Sequence, residues 1–73
     1  MILPMNMATE GKEVEIKSVS LKGDNGKRLG ELGILSGNKV KIVKNDGGNL
    51  IISIEESRFG LDLDAAKRIM INE

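Results

Sequence analysis

The sequence predicts a mostly-β fold: a small, closed or nearly closed barrel of five short strands, with one short helix after the first strand and a helical turn before the last. Three observations carry this. Short runs of β-branched residues alternate with charged ones, as in strands with one wet face. Nine glycines and one proline punctuate those runs, and turn signals at such short spacing suit a barrel, whose closure removes aggregation-prone edges. The chain has 73 residues, enough for a single small domain over residues 1–73, in which nearly every long apolar side chain must enter one core.

The first strand is expected over Glu13 to Val19, with Val14 and Ile16 pointing inward. Val19 and Leu21 have the opposite parity, which places a bulge or bend near Ser18. A helix of about two turns follows. Asp24 or Asn25 can cap its start, and Leu29 and Leu32 share one face. Gly33 suits the left-handed residue that ends the helix, so that Ile34 folds back on Leu29 in a Schellman ending. Ser36 and Gly37 make a turn, with positive φ at the glycine.

The second strand, Lys39 to Lys44, sends Val40 and Ile42 inward and Lys39 and Lys41 to water. Asn45-Asp46-Gly47-Gly48-Asn49 is a strong hairpin signal. The return strand is Leu50 to Ile54, with Leu50, Ile52 and Ile54 inside. A fourth strand, Arg58 to Leu63, sends Phe59, Leu61 and Leu63 inward, and Gly60 is placed at a barrel corner. Asp64 is expected to cap the helical turn Ala65 to Arg68, and Ile69 to Ile71 forms the last strand.

Composition narrows the function. Eleven basic residues balance eleven acidic ones, without the basic excess of a nucleic-acid binder. Phe59 is the single aromatic residue, too few for base stacking or for an aromatic peptide groove. Cysteine and histidine are both absent, which removes thiol nucleophiles, the commonest general base and the commonest transition-metal ligand. The serines have no base to activate them, so a non-enzyme is expected. No apolar run approaches membrane-spanning length, and a cytoplasmic protein is the expectation.

Three stretches resemble the ferrous iron transport protein A family, FeoA. Arg28-Leu29-Gly30-Glu31-Leu32-Gly33-Ile34-Leu35-Ser36-Gly37 is similar to the family's helix-ending segment. Gly48-Asn49-Leu50-Ile51-Ile52-Ser53-Ile54 is similar to its central strand. Ser57-Arg58-Phe59-Gly60-Leu61-Asp62-Leu63-Asp64-Ala65-Ala66-Lys67-Arg68-Ile69 is similar to its closing strand and turn. The chain departs at Ser36 and Asn49, where the family tends to have proline, and at Gly60, where it has alanine. The resemblance implies an SH3-like barrel in the cytosol that regulates ferrous iron uptake. Its implied partner is the cytosolic GTPase part of a ferrous iron membrane transporter. The alternative it implies is a metal-sensing module like the last domain of iron-dependent repressors.

Candidate contact residues lie on the wet side of the helix ending, at Lys27, Arg28, Glu31 and Ile34, and on an outer sheet face at Ile51, beside Val43. The helix-ending residues are equally accounted for by capping and packing. Lys39, Lys41 and Lys44 read as a solvated strand face. Met5 and Met7 read as gap-filling side chains rather than thioether ligands. Iron or another divalent metal, if bound, would have only carboxylates. Glu31, Asp62 and Asp64 are the candidates, because Asp62 and Asp64 are two apart and can share a face, although carboxylates alone discriminate poorly. No cofactor is required, and a monomer or weak dimer is expected.

Overall fold

A computed structural model describes residues 1–73. The alternating runs become strands, and they share one antiparallel sheet. The elements are β1 (Ile2–Pro4), a 3-10 turn (Met5–Met7), β2 (Glu13–Val19), α1 (Gly23–Glu31), β3 (Lys39–Asn45), β4 (Leu50–Ile54), β5 (Ser57–Leu61), α2 (Leu63–Lys67) and β6 (Ile69–Asn72). The sheet order is β1-β6-β2-β3-β4-β5.

The strand count is six rather than five. The added strand is β1, which pairs Leu3 with Ile71 and Pro4 with Met70. It is too short to show an alternation and forms only because β6, from the other end of the chain, offers it an edge. The predicted bulge is present, since the β2–β6 register shifts between Ile16 and Ser18. A second shift lies between Ile42 and Lys44. It leaves Val43 half-buried rather than fully outward. Gly60 is not a corner; it pairs in regular register with Ile51. Leu63 belongs to α2 rather than to the strand before it.

Fourteen residues are buried and all are apolar; Ile16, Ile42, Leu50, Ile52, Ile69 and Ile71 have no exposed surface. Leu29 from α1 and Ile34 just beyond it join this core. The helix ends as expected: Gly33 has φ +98°, the Ile34 N–H donates to Leu29 O at 2.9 Å, and the Gly33 N–H to Gly30 O at 3.0 Å. Its start differs. The N-cap is Lys22, with no side-chain capping bond, and Asp24 lies in the first turn. Gly37 has the expected positive φ, +96°. Its N–H donates to Ile16 O at 2.7 Å, and the Ser36 hydroxyl donates to Lys17 O at 2.8 Å. Ser36 thus ties this turn to the bulge of β2.

The segment before β2 is strapped to the barrel by two side chains. The Asn45 amide donates to Asn6 O at 3.1 Å and Ala8 O at 2.7 Å. The Glu73 carboxylate accepts from the Thr9 N–H at 2.7 Å and the Thr9 hydroxyl at 2.6 Å. The Thr9 hydroxyl, then its N–H, hold the Glu73 carboxyl below its ordinary value, with Lys12 adding to the effect. A lowered folded-state value means stability that is complete above the ordinary carboxylate range. It is lost as pH falls through the lowered value. Acid titration should therefore loosen residues 8–12 before the core, and Glu73→Gln should flatten this acid limb in an NMR-monitored titration of Thr9.

Candidate docking surface

With every buried residue apolar and packed in one core, recognition falls to the outside of the barrel. Its most concave part is a cleft of about 290 Å³ between α1 and the junction of β5 with α2. Leu21, Leu29, Leu61 and Ala65 supply its apolar lining, and Asn25, Arg28, Asp62 and Asp64 its polar one. A shallower hollow adjoins it, lined by Asn49, Leu50, Ile51, Gly60, Leu61 and Asp62. Gly60, Leu61 and Asp62 border both.

Each element places its residue for a local reason. Burial of Leu29 turns the neighbouring face of α1, with Lys27, Arg28 and Glu31, outward. Arg28 forms none of the three ion pairs of the molecule, which join Lys12 to Glu73, Lys17 to Glu15 and Arg68 to Asp64. Its guanidinium is a free planar donor at a cleft of mixed polar and apolar lining, a group suited to holding a carboxylate. Ile51 is 38% exposed, because its cross-strand neighbour is Gly60, which has no side chain to cover it.

Ile34 must be withdrawn as a contact residue. It is 1% exposed and packs in the core, because the Schellman ending that was expected of it turns the side chain inward. The structure brings Arg28, Asp62 and Asp64 together around one cleft; Glu31 does not line it. Asp62, not Asp64, caps α2: its Oδ1 accepts from the Ala65 N–H at 2.8 Å. Asp64 lies one turn from Arg68, with Oδ2 3.5 Å from Nε. One carboxylate is occupied by backbone, one faces a cation, and Arg28 adds positive charge. No group of three potential ligands gathers anywhere in the chain, so Glu31, Asp62 and Asp64 do not fit a resident divalent metal. Asp62→Ala should cost about 1 kcal/mol of stability through the lost cap, measured by urea denaturation.

Two of the three lysines of the stripe have acidic cross-strand neighbours, while Lys44 stands opposite Ile51. Lys39 stands opposite Glu15, and Lys41 opposite Glu13, across β2 and β3. Met5 is fully buried as a packing residue, while Met7 is 67% exposed. Gly60 was missed by sequence reasoning as part of the surface. The available signal was a glycine inside an alternating strand.

The FeoA domain model matches residues 3–73. The chain belongs to the FeoA family. This family is associated with ferrous iron transport. Among relatives, the "Putative Fe(2+) transport protein A" of Methanocaldococcus jannaschii is 33% identical over 70 residues, covering 96% of this chain and 85% of that protein. A structure of Stenotrophomonas maltophilia FeoA complexed with zinc, described as a procaryotic SH3 domain protein, matches with TM-score 0.79 and 27% identity. It covers 99% of this chain and 89% of that one. The barrel of this FeoA chain is thus SH3-like. A manganese-dependent transcriptional repressor matches with TM-score 0.83 and 14% identity, covering 96% of this chain and 40% of that one. That likeness is one of fold alone. No helix of the FeoA chain is long and apolar enough to cross a membrane.

Proposed function

We propose that this FeoA chain is a single-domain accessory protein of ferrous iron uptake that acts by contact, not by catalysis, on the cytosolic GTPase part of a ferrous iron membrane transporter. Family membership supplies the iron-uptake setting. The observation that carries the contact reading is the α1–β5 cleft: an apolar floor beside the unpaired Arg28, on a barrel whose interior has no room for a substrate. Lys27 and Glu31 are exposed on the same helix as Arg28, and Ile51 extends the surface in the adjoining hollow. Arginine beside buried apolar surface is a common source of binding energy at protein interfaces.

The test is calorimetric titration of the chain with a soluble GTPase domain of such a transporter. Arg28→Glu should weaken binding by about tenfold or more, whereas Lys39→Glu, on the far side of β3 opposite Glu15 and lining neither hollow, should leave it unchanged. No association at high micromolar concentration overturns the contact reading. Equal effects of the two variants overturn the cleft as its site.

A further inference from the structure

We propose that β5 is a self-complementary edge, pairing antiparallel with β5 of a second copy about Gly60. This goes beyond the transporter reading and does not depend on it.

The sheet has two edges. β1 is three residues long and ends in proline, which blunts it. β5 is longer and pairs with β4 on one side only. A two-residue turn, Glu55–Glu56, joins the two strands and makes Ile54 and Ser57 a hydrogen-bonded pair. Alternation then directs the backbone groups of Phe59 and Leu61 toward β4, and those of Arg58 and Gly60 away from it. No hydrogen bond from a loop or cap reaches the backbone of Arg58 or Gly60. Beside Gly60, Leu61 and Asp62 lies the open 290 Å³ cleft, not a packed element.

The residues along this edge are arranged symmetrically. With Gly60 opposite the partner's Gly60, Arg58 faces the partner's Asp62, and Phe59 faces the partner's Leu61. Arg58 is exposed and forms no ion pair. Asp62 Oδ1 is held by the Ala65 N–H, and its other oxygen has no partner in the chain. Four residues apart in an extended strand, Arg58 and Asp62 are separated by about 13 Å and cannot meet within one chain. An edge guarded against its own copies carries like charges. This edge carries opposite charges that neutralise each other when it meets itself.

Gly60 itself has no role inside the chain. Its φ lies outside the left-handed region. A Cβ there would meet nothing nearer than Leu50 O at 3.9 Å. A strand glycine without an internal reason marks close approach by another backbone, and here two Gly60 backbones would exchange hydrogen bonds.

Sedimentation equilibrium of the intact chain, from tens of micromolar to millimolar, tests the pairing. The expected result is a reversible rise from one chain mass toward two, with concentration-dependent NMR shifts confined to residues 57–62. Arg58→Glu should weaken association about tenfold by setting like charges opposite each other. Gly60→Pro should abolish it, because it removes an outward N–H that bonds nothing within the chain. Thermal melts confirm that each variant is folded, and Arg58→Glu carries the test alone if the proline variant is not. A single-chain mass throughout overturns the proposal. So does a dimer that folded variants leave unchanged.

Discussion

Ile42→Ala is expected to remove about half of the stability of the fold. Ile42 is fully buried and stands opposite Ile52 at the centre of the sheet. Its backbone also anchors the segment before β2, accepting from the Gly11 N–H at 2.6 Å and donating to Lys12 O at 2.8 Å. Truncating a buried isoleucine costs about 2–5 kcal/mol, through lost transfer energy and the cavity that remains. A domain of this size has about 4–11 kcal/mol of total stability. The loss is therefore a large share of the whole, and β3 is a central strand that cannot collapse inward without breaking register with both neighbours. Far-ultraviolet circular dichroism against urea should show the midpoint falling to about half of the wild-type value. Ile42→Val, which removes one methylene, should cost only about 1 kcal/mol.

Gly26→Ala is expected to destabilise the fold by about 2 kcal/mol or more, against the usual direction of this change. In the interior of an exposed helix, alanine normally gains about 1 kcal/mol over glycine. Gly26 lies in α1 with φ outside the left-handed region, so conformational freedom does not explain it. Packing does. A Cβ at this position would collide with the carbonyl oxygen of Leu21 and come within 2.9 Å of its carbonyl carbon. These are backbone atoms, which cannot swing aside. The chain leading into α1 would have to shift, and with it Leu21, Asn25 and Arg28 on the cleft. Gly26→Ala should therefore lower the melting temperature and also weaken docking at the cleft. Gly60→Ala, where there is room, should instead be neutral or stabilising.

The two glycines show why sequence reading reaches some features and not others. Both sit at ordinary φ, and nothing in the local pattern separates the one that packs against a carbonyl from the one that faces open space. Gly33, Gly37 and Gly47 are different. Each follows a recognisable helix ending or turn, and each has the positive φ that such a position requires. The same division runs through the carboxylates. The sequence placed a cap at the start of α2, but one turn of helix accepts a cap at Asp62 or Asp64 with little to choose between them locally. The helix begins at Leu63, which leaves Asp62 in the capping position with its side chain on the Ala65 N–H. Ile34 was legible as a core residue through its helix ending and was nominated as a contact residue as well; only the packing of its side chain into the core separates the two.

By itself, the sequence determined the alternation of β2 to β6, the bulge after Ile16, the Schellman ending at Gly33 and Ile34, and the stretches that mark the family. Those features depend on backbone sterics and on the two-residue period of a strand, which a window of a few residues contains in full. The tertiary structure alone decided that Ile2–Pro4 becomes an edge strand, that Arg28, Asp62 and Asp64 converge on one cleft, and that β5 is left with an open side. These depend on which distant segments win the competition to pair and pack. Free energies summed over the whole barrel settle that competition, and no single stretch of the chain carries them.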